Sequence, residues 1–215
     1  MNLFEAIRQG DVARVAALLD EDPSLLAARD GNVSAILLAV YHGRADIARL
    51  FVERGARLSF AEAVALGDTG RVRELLRETP ALLHERTPDG FASAAFAIFF
   101  GHHELAKWLI EEGADVNAAS ENAQRVAPVH AAAAVCDRAI MRILLDRGAD
   151  PNARQQLEYT PLHGAASRGD VEMAELLLSR GADANVRGSD GLTPADLARK
   201  YGKEEFAQWF EQRVT

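Results

Sequence analysis

A short motif returns at positions 126, 159 and 192: Val126-Ala127-Pro128-Val129-His130, Tyr159-Thr160-Pro161-Leu162-His163 and Leu192-Thr193-Pro194-Ala195-Asp196. The interval is 33 residues both times. A fixed period of this size belongs to stacked supersecondary units and not to a single globular core. Each unit buries its apolar face only against its neighbours, and the stack presents an extended surface. A chain of this kind is suited to holding another molecule rather than to enclosing a catalytic cleft.

The unit from Tyr159 to Asn185 is the clearest. Thr160 stands where a helix cap is needed, and Pro161 occupies the first helical position, where a missing N–H costs nothing. Leu162, Ala165 and Ala166 follow on one face. Gly169 breaks that helix and Asp170 caps the next. Val171, Ala174, Leu177 and Leu178 keep helical spacing. Gly181 ends the second helix in a left-handed turn, and Ala182-Asp183-Ala184-Asn185 leads into a hairpin.

This pattern, T-P-L-H-x-A, then Gly, then L-L-L-x-x-G-A-D-x-N, resembles the ankyrin repeat. Gly113-Ala114-Asp115-Val116-Asn117, Gly148-Ala149-Asp150-Pro151-Asn152 and Gly181-Ala182-Asp183-Ala184-Asn185 recur in register with it. The resemblance implies an all-α ankyrin-repeat solenoid of helix-turn-helix units with short β-hairpin fingers. On this reading the chain is a single domain. It has a helical cap at 1–30, units at 31–59, 60–88, 89–123, 124–156 and 157–189, and a capping unit at 190–215. Lys200, Lys203, Glu204, Glu205, Gln208, Glu211 and Gln212 make the last helices polar on one side.

The first half carries a duplication at an offset of 57: residues 5–29 align with 62–86, matching Glu5 with Glu62, Gly10 with Gly67, Asp11 with Asp68 and Pro23 with Pro80. Three departures from the family pattern stand out. Too few residues separate Gly55 from Gly67 for a hairpin, so the unit at 60–88 is expected to lack its finger. The link from Gly113 to Pro128 is two residues longer than that from Gly148 to Pro161, so the finger at 119–124 is expected to protrude or to be mobile. Cys136 takes the place of the interhelical glycine, which strains a left-handed turn or reshapes it.

Composition narrows the function. The chain carries 32 acidic against 24 basic residues, a net charge of −8, which repels phosphate backbones and anionic lipid. Nucleic acid and membrane surfaces are therefore not expected as partners. No apolar run approaches the roughly 18 residues of a membrane span, and the early Glu5 argues against a secretory leader. A cytoplasmic location is expected. The bias to Arg over Lys (only Lys107, Lys200 and Lys203 are lysine) and the abundance of Ala suggest a GC-rich, bacterial genome. Cys136 is the one cysteine, so no internal disulfide forms.

In ankyrin proteins the partner lies across the finger tips and the exposed inner face of the first helices. Carried onto this sequence, the finger tips include Phe91, Val126 and Tyr159, with Gln124, Leu157 and Asp190 beside them. The inner helix ends give Tyr41, His42, Leu66, Phe99, Phe100, Val135, Arg168 and Tyr201, with Ser167 and Lys200. Aromatic residues and Arg are the side chains that most often dominate interfaces. The competing reading is that Phe96 and one of Phe99 or Phe100 fill space left by the small residues at Ala92, Ser93, Ala94 and Ala95. The expected function is non-catalytic binding of a protein or peptide by a monomer. A secreted bacterial effector acting on a host protein is one alternative, and an enzyme or small-molecule binder is another.

No catalytic order of Ser, His and Asp, phosphate loop or paired-Cys spacing occurs, so no catalytic residue, metal ligand or cofactor is expected. The resemblance implies that His130 and His163 hydrogen-bond the neighbouring finger. His102 and His103 are adjacent on a helix and point apart, which does not suit one metal. Cys136 reads as a small buried or half-buried thiol. Asp115-Val116-Asn117 and Asp150-Pro151-Asn152 read as turn-stabilising side chains and not as a calcium loop. Asp20-Glu21-Asp22 reads as a solvated helix end or a steering charge for a basic partner.

Overall fold

The chain builds short helices, many of them started by a capping side chain and closed by a glycine turn, and the computed structural model describes residues 1–214. Its contacts fall into two compact units, Met1–Leu82 and Leu83–Thr215.

The first unit contains α1 (Leu3–Gln9), α2 (Val12–Glu21), α3 (Ala35–Tyr41), α4 (Ala45–Glu53), α5 (Phe60–Leu66) and α6 (Thr69–Glu78). The Asn2 side chain accepts the Glu5 N–H at 2.9 Å, and the Glu5 carboxylate accepts the Asn2 N–H at 3.0 Å. Ser59 and Glu62 repeat this exchange at the start of α5. Reciprocal capping satisfies two orphan donors at once. Both helices close on a glycine at positive φ, Gly10 at 78° and Gly67 at 71°. Asp11 and Asp68 then cap α2 and α6, each accepting an arginine N–H at 2.9 Å. Each copy ends in a Pro-led 3₁₀ turn, Pro23–Ala27 or Pro80–His84. The 57-residue offset is thus a repeated local structure.

Between the copies a two-stranded finger, β1 (Arg29–Asp30) and β2 (Val33–Ser34), leads into α3 and α4. Only Ala56–Ser59 separate Gly55 from α5, and they carry no strand. Helix α3 packs against α1, α4 and α5. Ile7, Val15, Ile36, Leu37, Ile47, Phe51, Val64 and Val72 are buried between them. Each such side chain contributes about 1.5–3 kcal/mol on burial.

The second unit contains α7 (Ser93–Phe99), α8 (His103–Glu111), α9 (Pro128–Ala134), α10 (Arg138–Asp146), α11 (Pro161–Arg168), α12 (Val171–Ser179), α13 (Pro194–Lys200) and α14 (Glu204–Val214). The first helices α7, α9, α11 and α13 pack side by side, and each also packs on its own second helix. Small residues allow this approach: Ala94, Ala131, Ala132, Ala165, Ala166 and Ala198 are buried, and a Cβ on Gly164 would lie 3.2 Å from that of Ala133. Phe96, Leu109, Met141, Leu144, Leu162, Leu177 and Phe210 fill the interior.

Backbone bonds join the fingers in this unit. Glu121 N–H donates to Gly90 O at 3.0 Å, Gln156 N–H to Gln124 O at 2.8 Å, and Ser189 N–H to Leu157 O at 2.8 Å. The finger at 119–124 is pinned by them and by side chains, contrary to the expectation that it protrudes or moves. Ser120 is buried, its hydroxyl donates to Asn122 Oδ1 at 2.8 Å and accepts the Val126 N–H at 2.8 Å, and Asn122 Nδ2 donates to Asp89 O at 2.8 Å. The extra residues fold back on the preceding finger.

The G-A-D-x-N turns are cross-linked in the same way. Asn117 donates to Gly148 O at 3.1 Å and accepts the Asp150 N–H at 2.8 Å; Asn152 does the same with Gly181 O and the Asp183 N–H. Cys136 stands at φ 57°, so the turn keeps its left-handed shape and a non-glycine residue bears the strain.

Candidate partner-binding groove

The Pro-x-His motif builds the rim of a groove in the second unit. His130 Nδ1 accepts the Ala127 N–H at 3.1 Å, and its Nε2 donates to Ala153 O in the next finger at 2.9 Å. His163 repeats this with the Thr160 N–H at 3.2 Å and Leu192 O at 3.1 Å. Each ring therefore caps its own helix and anchors the following finger. Accepting at Nδ1 requires the neutral ring. Burial holds it neutral, lowering His130 to about 4 and moving His163 in the same direction. In the third motif Asp196 caps through Thr193 alone.

The groove encloses about 450 Å³ and is lined by Phe91, Phe99, Gln124, Val126, His130, Ala131, Ala133, Ala134, Gln155, Gln156, Leu157, Tyr159, Thr160, Pro161, Gly164, Ser167 and Arg168. Helices α9 and α11 supply the small residues, the fingers supply Phe91, Val126, Leu157 and Tyr159, and the ends of α7 and α11 supply Phe99 and Arg168. Of the predicted site residues, Phe91, Phe99, Val126, Tyr159 and Arg168 meet here. Phe99 is 58% exposed and Leu157 51%, so both present apolar surface to solvent.

Tyr159 is held rigidly. Its ring stacks on His163 with centroids 4.7 Å apart, and its hydroxyl donates to Asp190 at 2.7 Å. Burial, with the Asp190 carboxylate, pushes its phenol up to about 12. Gly188 makes the room: a Cβ there would lie 2.4 Å from Tyr159 Cε1.

The other predicted residues lie elsewhere. Phe100 packs its edge on buried Phe96 at 4.9 Å, so of the adjacent pair Phe100 packs inward and Phe99 is left exposed. Val135 and Cys136 line a separate shallow cleft with His103, Lys107 and Ile143. Tyr201, 59% exposed, follows α13. Tyr41, His42 and Leu66 belong to the first unit. Tyr41 and His42 stand at the end of α3, and Leu66 ends α5. Gln155 and Gln156 enter the groove without having been expected. Their signal was weak, two neutral polar residues ahead of a hairpin.

The remaining polar candidates have structural roles. His103 Nδ1 contacts Asp137. Cys136 is exposed and not buried. Neighbouring atoms still desolvate the thiol of this exposed residue and, with Asp170 nearby, push its pKa up, which makes it a poor nucleophile. Asp20 pairs with Arg54, and Asp22 accepts the Ser24 N–H and hydroxyl, so this acidic run is engaged within the first unit. Arg138 donates to both oxygens of Asp170, and Arg180 reaches Asp146 at 2.6 Å. Arginine forks thus tie neighbouring repeats, a geometry that lysine lacks. Among the described residues no helix is long and apolar enough to cross a membrane.

Two family models match the chain. "Ankyrin repeats (3 copies)" covers residues 60–155 and "Ankyrin repeats (many copies)" covers residues 128–198, together well over half of the chain. The chain belongs to the ankyrin-repeat family. It is also similar to the rat (Rattus norvegicus) "Ankyrin repeat and SAM domain-containing protein 6", at 29% identity over 172 residues. That match covers 74% of this chain and 16% of the relative. The ankyrin helix pairs, finger bonds and Pro-x-His bridges described above are the physical basis of the match.

Proposed function

We propose that this ankyrin-repeat chain is a non-catalytic binding module that holds a protein or peptide partner in the groove of its second unit. Ankyrin repeats generally serve as protein-interaction modules. The observation that carries the reading is the exposure of Phe99 and Leu157 on a rim whose backbone is locked by His130 and His163. A preformed apolar surface loses little entropy on binding. In this reading the protein acts as a cytoplasmic monomer. The arginine and alanine bias supports a bacterial source.

The test is affinity capture from native lysate with wild type and the double variant Phe99→Asp/Val126→Asp. Tyr159 is left intact because it braces the fold through Asp190 and His163. A protein retained by wild type and lost by the folded variant supports the reading. Equal capture by both moves the site off the groove.

A further inference from the structure

The charge of the groove is opposite to that of the chain. The protein as a whole carries −8, yet no aspartate or glutamate lines the groove. Its one permanent charge is Arg168, since His130 is neutral. Arg168 is exposed and takes part in no ion pair among the described residues. The nearby acids are committed elsewhere. Asp190 accepts the Tyr159 hydroxyl and is drawn further below the carboxylate range by Lys200, and Glu158 pairs with Arg125 and Arg154. An unpaired guanidinium on an acid-free wall is complementary to a carboxylate.

A second observation concerns backbone shape. Leu157 and Glu158 are consecutive non-glycine residues at φ 62° and 57°. Two left-handed residues in succession suit Asn-Gly and are strained for Leu-Glu. The strain is sustained by Ser189 N–H on Leu157 O and by the two arginines on Glu158, and it leaves Leu157 exposed on the rim. Such outliers collect where the conformation serves binding. The third observation is polar. Gln124, Gln155 and Gln156 line the groove, and their side chains make no hydrogen bond to the described residues. Free amides suit a ligand whose own backbone N–H and C=O need partners. An α-helix satisfies those groups internally, whereas an extended peptide does not.

We infer that the groove takes an extended peptide, with one bulky apolar side chain among Phe91, Phe99, Val126 and Leu157 and a carboxylate on Arg168. This rests on the proposed binding function. It adds the chemistry of the partner: an apolar residue close to an acidic side chain or to a free chain end, with the intervening peptide groups bonded to the glutamines.

The test is selection from a random-peptide display library made in two forms, with free and with blocked carboxyl termini, against wild type, Phe99→Asp, Arg168→Glu and Leu157→Gly. Thermal melts show that each variant folds. Selected peptides are expected to pair a bulky apolar residue with a carboxylate. Enrichment in the free form alone assigns the carboxylate to the chain end, and enrichment in both assigns it to Asp or Glu. Arg168→Glu should lose these peptides and select Lys or Arg in their place. Leu157→Gly should melt higher, since glycine relieves the left-handed strain, yet bind about tenfold more weakly. A residue with only a structural role would not move stability and affinity in opposite directions. Peptides that are lost on Phe99→Asp but carry no carboxylate, and are indifferent to Arg168→Glu, would overturn this inference and leave the binding function standing. Peptides that are indifferent to Phe99→Asp would overturn both.

Discussion

The histidines make stability depend on pH in a predictable window. His130 accepts at Nδ1 and donates at Nε2, so protonating the ring removes the helix cap. Burial lowers its pKa from 6.5 to about 4. Because the folded value is depressed, the stabilisation is fully present above the unfolded pKa and is lost as pH falls from 6.5 towards 4. The whole shift corresponds to about 3 kcal/mol, of which about 2 kcal/mol is gone by about pH 5. His163 shifts in the same direction and adds to the loss. Comparison with His130→Asn separates the loss due to this ring from that of every other group. Asp190, Asp196 and Glu211, held below the usual range, contribute at more acid pH. Urea unfolding at about pH 7.5 and about pH 5 should show wild type losing roughly 2 kcal/mol more than His130→Asn between the two. A folded-state NMR titration of His130 centred near 6.5, or equal losses in both proteins, would refute the reasoning.

Three further outcomes follow from the packing. Cys136→Gly relieves the strain at φ 57° and should stabilise by about 1 kcal/mol, read as a higher urea midpoint with unchanged slope. Gly188→Ala drives a methyl into Tyr159 and should destabilise by about 1–3 kcal/mol, while alkaline titration should show the Tyr159 phenol falling from about 12. Phe96→Ala should cost about 3–5 kcal/mol and Phe99→Ala within about 0.5 kcal/mol, because Phe96 is buried and Phe99 is largely exposed. Comparable losses in both would place Phe99 in the core.

Much of this protein is legible in sequence because its structure is local. The Pro-x-His recurrence, the capping glycines and the 57-residue offset each act through a few neighbouring residues, and backbone sterics dictate the outcome wherever the same residues return. The bridging of His130 and His163 to the following finger was expected from the ankyrin resemblance, although the carbonyls they reach, Ala153 and Leu192, are not one period apart. What the period could not convey is how adjacent, chemically similar side chains divide between core and surface. Phe99 and Phe100 are both phenylalanine, yet only Phe100 finds the edge of Phe96, because helix rotation is set by packing against neighbouring repeats. The long finger looked free in sequence, yet Ser120 fixes Asn122 within it and Asn122 bonds to Asp89, one repeat away. Cys136 read as buried or half-buried by type and is exposed by position. The local rules determined the repeat. The grouping of Phe91, Phe99, Gln155, Gln156, Leu157 and Arg168 on one acid-free wall was decided only by the tertiary structure, since it depends on contacts between residues far apart in the chain.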